Sequence, residues 1–333
     1  MPGLGGAGED QRLAALTPAN SGVSVGRIIF LNPFGKDAIT GGCKTAYRQV
    51  ELLQELGFDA WIYQPEGRPH WFISRAKVVT SWIAPTPDDV LVFPETINGP
   101  LVPMLQAGLP GKKVLFCQAQ YYALFGEVPI EKCSGFFNHV VCQSEIAKGF
   151  LERVFHFKNV AVVPCFIDSA LFFPRGNTIQ IALIPRKLPR EAAAISTVFR
   201  MKYPEHNNIP WEVLENRSER DVAQSFGRSA VVLSLPFLES FGLVPLEAMA
   251  SGAIVVGFHG NGAREYATEE NGFWLPSDQI EETADALAGA INGLKRRDPA
   301  ILKMRDMGFA TAARYSKERA LAALKAFYGG LLG

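Results

Sequence analysis

The sequence has no excess of either charge, since 33 lysine and arginine residues balance 33 aspartate and glutamate residues over 333 positions. Proteins that bind nucleic acid usually present a basic surface, because the counterions released from neutralised phosphates supply much of the affinity. A chain with balanced charge has no such general attraction. The sequence therefore argues against a nucleic acid partner.

Long apolar runs and paired cysteines are also missing. No stretch of about 18 apolar residues occurs, which is the length that a membrane-spanning helix needs. The five cysteines form no C-x-x-C pair and stand among apolar residues, which favours reduced, buried thiols over disulfides or a zinc site. Residues 1–22 lack the basic start and apolar core of a signal peptide, so we expect a disordered tail. These absences predict a cytoplasmic protein.

Short apolar runs alternate with amphipathic helical patterns from about residue 27 onward. RIIFLNP, DAWIYQP and DDVLVFPE are typical of buried strands, and TAYRQVELLQELG is typical of a helix between two of them. Strands that alternate with helices indicate a parallel sheet covered on both faces. The alternation stops at FIDSALFFPRGNT and then resumes with IQIALIP.

The interruption divides the chain into two α/β halves. We predict two doubly wound, Rossmann-like domains that face each other across a cleft, where ligands bind beyond the carboxyl ends of the strands. The predicted parts are the tail 1–22, an amino-terminal acceptor domain 23–167, a carboxy-terminal donor domain 168–314, and a last helix 315–333 that crosses back to the first domain.

The stretch LESFGLVPLEAMASGAIVVG places two glutamates, Glu239 and Glu247, in otherwise apolar surroundings. Carboxylates are rarely buried unless something pairs with them. Pro245 is tolerated only in the first turn of a helix, and Gly252 is suited to end one. A helix is therefore predicted between the strands AVVLSLPF and AIVVG, with one glutamate before it and one inside it.

The start of this helix predicts a phosphate site. Backbone N–H groups of Phe241, Gly242 and Leu243 would be free there, at the positive end of the helix dipole. Glu239 and Glu247 would then lie on either side of the phosphate, where carboxylates can accept hydrogen bonds from the hydroxyl pairs of a sugar and a ribose. The pattern indicates a site for a nucleotide-sugar.

The same stretch resembles the signature of the retaining GT-B glycosyltransferases of family 4, in which two glutamates seven residues apart are followed by A-M-A-x-G. HVVCQSEIAKGFLERV and NVAVVPCFIDSALFFP are similar to that family's end-of-domain helix and linker, with Cys165 and Phe166 in place of the usual Asn-Gly. TGGCKTAYRQ is similar to its amino-terminal Gly-Gly loop. The resemblance covers nearly the whole chain after residue 25 and implies sugar transfer from a UDP- or GDP-sugar to a hydroxyl acceptor with retention.

The resemblance also implies roles for individual residues. Glu239 is expected to contact donor-sugar hydroxyls, and Glu247 is expected to hold the ribose. The family uses no metal, because an arginine and a lysine stabilise the departing diphosphate through charge-assisted contacts. PRKLPR supplies Arg186 for the arginine, and Lys187 or Arg190 for the second cation.

The amino-terminal side departs from the family in one respect. Many relatives carry a histidine after the strand equivalent to KKVLFC, whereas the loop here reads QAQYYALFG. Gln118 or Gln120 is expected to supply that hydrogen bond, and Glu95 is expected to face the acceptor. Gly41 and Gly42 are expected to contact phosphate.

The sequence leaves the acceptor open among a saccharide, a lipid-linked group and a small molecule, and it leaves peripheral membrane contact open. Two other functions compete with glycosyl transfer. One is a non-catalytic module that binds a nucleotide-sugar, favoured by the missing histidine. The other is an NAD-dependent oxidoreductase, for which GFHGNG is the best feature, although its spacing is G-x-x-G-x-G and not G-x-G-x-x-G.

Overall fold

The computed structural model describes residues 26–333, so the predicted tail 1–22 lies outside them. The first half of these residues alternates strands and helices as the apolar runs predict. Its elements are β1 (Ile28–Leu31), α1 (Gly41–Glu55), β2 (Ala60–Tyr63), β3 (Val78–Val79), β4 (Val90–Pro94), α2 (Leu101–Gln106), β5 (Lys112–Cys117), α3 (Ile130–Cys133), β6 (His139–Cys142), α4 (Glu145–Val154) and β7 (Val160–Val162).

The second half repeats the alternation and ends in three helices. Its elements are β8 (Thr178–Leu183), α5 (Pro189–Lys202), β9 (Trp211–Val213), α6 (Glu219–Arg228), β10 (Ser229–Ser234), α7 (Leu243–Ala250), β11 (Ile254–Phe258), β12 (Phe273–Leu275), α8 (Ile280–Arg296), α9 (Pro299–Ala313) and α10 (Lys317–Leu332). The sequence predicts only one helical region here, whereas Asp298 and Ser316 cap two new helix starts.

The strands form two separate parallel sheets. The first has seven strands in the order β3-β2-β1-β4-β5-β6-β7, and the second has five in the order β12-β11-β10-β8-β9. Central strands such as β1 and β10 are buried along their whole length, because helices cover both faces of each sheet. The predicted fold class of two doubly wound, Rossmann-like domains is confirmed.

Helix α1 begins earlier than its sequence pattern predicts. The Gly41–Gly42 pair, expected in a loop, forms the first two residues of this helix. The side chain of Thr40 accepts a hydrogen bond of 3.2 Å from the backbone N–H of Cys43 and so caps the helix start. This cap offsets the poor helix propensity of the two glycines.

The chain passes between the two sheets at two places. Val163–Asn177 leads from β7 to β8, and residues 314–316 lead from α9 to α10. Helix α10 packs into the apolar cluster of the first sheet, where Tyr328 contacts Phe30 with ring centroids 6.2 Å apart. The two crossings touch, since the backbone N–H of Ile167 donates to the carbonyl of Tyr315 at 2.9 Å.

All five cysteines are buried and free. Burial raises the pKa of each of these thiols above its usual value, which keeps them protonated and unreactive. Within residues 26–333, no helix is both long enough and apolar enough to cross a bilayer.

Candidate donor and acceptor cleft

The carboxyl ends of both sheets border one cleft of about 750 Å³. This is the place where doubly wound sheets bind ligands, and the volume is typical of small-molecule sites. The first domain contributes the loops after β1, β4 and β5 and the start of α1. The second contributes the loops after β8, β9 and β10 and the start of α7. The sequence-predicted residues in its lining are Gly41, Gly42, Glu95, Gln118, Arg186, Lys187, Glu239, Phe241, Gly242, Leu243 and Glu247.

The turn between β10 and α7 has a fixed backbone. Gly242 precedes the helix with φ 83°, a left-handed conformation that favours glycine. A Cβ atom at this position would lie 3.2 Å from the hydroxyl oxygen of Tyr266, which donates a hydrogen bond to the carbonyl of Gly242. Helix α7 ends at Ala250, within one residue of its predicted end.

The start of α7 leaves backbone donors toward the cleft. The N–H groups of Gly242 and Leu243 have no acceptor among residues 26–333. Phe241 differs, because its side chain is buried in the core and Gly262 lies against its backbone nitrogen. The predicted phosphate site therefore depends on Gly242 and Leu243, while Phe241 anchors the turn in the core.

Glu239 is paired with a lysine of the same domain. The Nζ atom of Lys187 lies 2.8 Å from Glu239 Oε1 and donates to the carbonyl of Phe237 at 3.0 Å. Arg186 is exposed beside this pair and lines the cleft. The end of β8 therefore brings two cations next to Glu239.

Glu247 is paired across the cleft with a lysine of the first domain. Lys44 Nζ lies 2.8 Å from Glu247 Oε1 and 3.1 Å from Glu219 Oε1. Arg48 Nη2 binds the other oxygen of Glu219 at 2.8 Å. These four side chains, two from α1 and one each from α6 and α7, join the two domains at the base of the cleft.

Lys44 keeps its charge although it is buried. Burial alone lowers the pKa of this ammonium group, but the charges of Glu247 and Glu219 and their hydrogen bonds raise it to about 12. A buried charge is stable only when its partners are in place. The pairing therefore requires the two domains to be in contact.

The sequence analysis did not identify Lys44, Arg48 or Glu219 as site residues. Lys44 and Arg48 are four residues apart, so they share one face of α1 close to the Gly41–Gly42 pair. Two cations on a helix face that is otherwise buried are the signal that was available. Their partner Glu219, however, is 171 positions away from Arg48 and is identified only by the packing of the domains.

The acceptor side of the cleft contains one carboxyl group. Glu95 follows β4 and is 8% exposed, and it accepts a hydrogen bond of 3.2 Å from the backbone N–H of Gln118. Burial raises the pKa of Glu95 to about 7, although hydrogen bonds from backbone N–H groups lower it. Gln118 is close to Gly42, since a Cβ atom on that glycine would be 3.3 Å from Gln118 Nε2.

Two predicted site residues do not line the cleft. Gln120 is buried and exchanges hydrogen bonds with Ser240, so the loop after β5 turns it into the contact between the domains. Gln118 is therefore the glutamine that faces the cleft. Arg190 is exposed in the first turn of α5, which begins at Pro189 and carries it away from the lining.

Solved structures with the same arrangement are GT-B glycosyltransferases, and this chain has the GT-B fold. Sucrose-phosphate synthase from Thermosynechococcus elongatus aligns with a TM-score of 0.65 and 15% identity over 92% of this chain and 99% of its own. A glycosyltransferase from Rickettsia africae gives 0.65 and 14% over 93% and 99%. S. aureus TarM, in complex with Fondaparinux, alpha-GlcNAc-glycerol and UDP, gives 0.58 and 15% over 74% and 56%.

Sequence comparison points to the same class. The family described as "Glycosyl transferases group 1" matches residues 205–305, which include both Glu239 and Glu247. An "Alpha-1,6-glucosyltransferase" from Actinobacillus pleuropneumoniae is 24% identical over 230 residues, covering 66% of this chain and 69% of that protein. Together with the fold, these matches support a glycosyl-transfer function.

We predict that Lys44→Met destabilises the protein strongly. The change leaves the carboxylates of Glu219 and Glu247 buried with one cation fewer, a loss that typically costs about 3–5 kcal/mol. Adding Glu219→Gln and Glu247→Gln to Lys44→Met removes the unpaired charges and should recover most of the loss. Denaturant unfolding measures both variants, with Lys325→Met, an exposed site on α10, as the control. A loss of under about 1 kcal/mol for Lys44→Met would contradict this prediction.

We predict that Glu95 makes stability depend on pH. The folded protein favours the protonated carboxyl, so its contribution is fully present below the unfolded pKa of about 4.5 and is lost as pH rises through about 7. The stability of the natural protein relative to Glu95→Gln should fall over this window by up to about 3 kcal/mol. Denaturant midpoints of both proteins between pH 4.5 and 8 measure it. Glu131→Gln, at an exposed site, should show no such divergence; parallel profiles for Glu95→Gln would rule the effect out.

Proposed function

We propose that this protein is a retaining glycosyltransferase of family 4 that transfers a sugar from a nucleoside-diphosphate sugar to a hydroxyl acceptor. The observation that carries the proposal is the start of α7, where Gly242 and Leu243 present free N–H groups between Glu239 and Glu247. Such a helix start suits a phosphate. The two carboxylates then lie where hydroxyl groups of a sugar and a ribose would meet them.

Arg186 and Lys187 are proposed to stabilise the leaving diphosphate. Both line the cleft at the end of β8, on the same side as the helix start. Fixed positive groups that face developing negative charge lower a reaction barrier because they need no reorganisation during the reaction. Lys187 already contacts Glu239, so one cation would contact both the diphosphate and the residue that reads the transferred sugar.

Retention of configuration is proposed from the resemblance to family 4. In that course the acceptor approaches from the side that the diphosphate leaves, and no carboxylate is needed to deprotonate it. Glu95 favours the alternative, inverting course, because a carboxyl group with a pKa of about 7 is suited to act as a base. Proton NMR of the freshly formed product distinguishes the two by the anomeric configuration.

The donor is proposed to be a UDP- or GDP-sugar. A nucleotide base would be bound beside the loop after β9, where Leu214–Arg217 line the cleft. The neighbouring structures of TarM and of pneumococcal GtfA hold UDP, which supports a donor of this class. A glucosyl donor is the first to test, since the relative from A. pleuropneumoniae is named a glucosyltransferase.

The oxidoreductase alternative has little support in the structure. GFHGNG leads into a short 3₁₀ turn, Gly262–Glu265, and not into an α-helix whose start would bind a pyrophosphate. Gly262 has a packing reason, because a Cβ atom there would lie 2.1 Å from the backbone nitrogen of Phe241. The non-catalytic alternative stays open, and turnover of a bound donor distinguishes it from the enzyme.

We predict that the two glutamates differ in nucleotide binding. Glu247→Gln should weaken UDP or GDP binding about ten- to a hundred-fold, because hydrogen bonds to a charged group contribute roughly 1.5–3 kcal/mol. Glu239→Gln should bind the free diphosphate almost normally and fail in turnover of the sugar donor. Calorimetric titration measures both.

Glu219→Gln is the matched control for Glu247→Gln, because it also removes a partner of Lys44 but leaves the proposed ribose contact intact. It should bind the diphosphate within a few-fold of the natural protein. Equal losses of affinity in the Glu239 and Glu247 variants would sink the proposed division of roles.

We predict that Arg186→Ala lowers turnover by roughly 10²–10³, the scale for removing one preorganised electrostatic donor. Arg190→Ala is the matched control, since this arginine is exposed four residues away and does not line the cleft; it should stay within about two-fold. A chelator should leave the rate unchanged. Activity that is lost with chelator and restored by a divalent cation would contradict the metal-free mechanism.

A further inference from the structure

The positive charges of the cleft are unevenly distributed. The second domain contributes Arg186, Lys187 and Arg217 to the lining. In the part of the lining that comes from the described residues of the first domain, Lys44 is the one cation. A donor diphosphate on the second domain's side therefore meets positive charge, and an acceptor on the first domain's side meets Lys44 alone.

Lys44 is not available to a further anion. Its ammonium group is buried and lies within 3.1 Å of both Glu219 and Glu247. An anionic group that took Lys44 as its partner would leave two buried carboxylates without it, which is costly. The first domain therefore offers no uncommitted positive charge to the acceptor.

Aromatic faces and amides make up much of the rest of this side. Phe34, Trp71 and Tyr122 line the cleft, and the indole N–H of Trp71 already donates to the carbonyl of Ala38 at 3.1 Å. The ring face of Trp71 is what remains for a ligand. Aromatic faces accept the apolar C–H face of a sugar ring, and such contacts carry no requirement for charge.

Two amide groups can supply the polar contacts of a sugar. Among residues 26–333, the side-chain nitrogens of Asn98 and Gln118 donate to no protein acceptor, although both residues line the cleft. Amide donors and the carboxyl group of Glu95 match hydroxyl groups, which both donate and accept. A phosphate or carboxylate on the acceptor would meet Glu95 as a repelling charge with no cation to offset it.

We propose that the acceptor is an uncharged saccharide, bound on the first domain's side by the faces of Phe34, Trp71 and Tyr122 and by the amides of Asn98 and Gln118, and that phosphorylated and carboxylated sugars are rejected. This inference rests on the proposed glycosyl transfer. It narrows the acceptor to one chemical class.

The test has a donor arm and an acceptor arm on the full chain. The donor arm titrates UDP and GDP by calorimetry and measures hydrolysis of UDP-glucose and GDP-glucose without acceptor. The acceptor arm then offers matched sets of each hexose in three forms: the neutral methyl glycoside, the 6-phosphate and the uronate. The sets cover glucose, galactose and mannose as monosaccharides and as β-linked disaccharides, and mass spectrometry counts the transferred sugar.

We expect at least one neutral glycoside to be glycosylated, and its phosphorylated and carboxylated forms to react at least ten-fold more slowly. A charged form that reacts as well as its neutral partner overturns the proposal, and so does a donor that turns over while every neutral glycoside stays unmodified. Failure of the donor arm is a different result: neither UDP nor GDP binds, and then the proposed function itself falls.

A variant pair tests the aromatic contact. Phe34→Ala should raise the KM for the neutral acceptor about ten-fold and leave UDP affinity unchanged, because Phe34 lines only the first domain's side. Phe125→Ala is the matched control, since Phe125 is 66% exposed and lies outside the lining; its KM should not change. Equal values of KM for the Phe34 variant and the natural protein would remove Phe34 from the proposed site.

Discussion

The buried ammonium group of Lys44 is the contact on which the cleft depends. One positive charge from the first domain lies between two carboxylates of the second, on α6 and on α7. Removing three charges from water costs several kcal/mol for each, and only their mutual contact offsets this cost. The length of one lysine side chain therefore fixes how closely the start of α1 approaches the start of α7.

This contact also defines how the unliganded cleft keeps its carboxylates. Each glutamate of the paired segment has its own lysine: Lys187 for Glu239 within the domain, and Lys44 for Glu247 across the cleft. Lys44 binds only Oε1 of Glu247, and Oε2 has no partner among residues 26–333. A ligand hydroxyl can reach the second oxygen without displacing the lysine, so the pair is compatible with an occupied site.

The fold and part of the cleft follow from patterns that are local in the sequence. Alternating strands and helices have a period that can be read within a few residues, and Pro245 and Gly252 mark the bounds of α7 to within a residue. The contact of Lys44 with Glu247 could not be read this way, because 203 positions separate them. The choice between Gln118 and Gln120 failed for a related reason: the two are chemically equal, and only the direction of the loop after β5 separates them.

The double crossing between the domains has a mechanical meaning. Because α10 returns to the first domain, the second is joined to it by two chain segments, and a backbone hydrogen bond between Ile167 and Tyr315 holds these side by side. Two adjacent attachments behave as a door hinge with a single line of rotation, which permits opening and closing but resists sliding and twisting. Any relative movement of the two halves would therefore carry Lys44 toward or away from Glu247 along one reproducible arc.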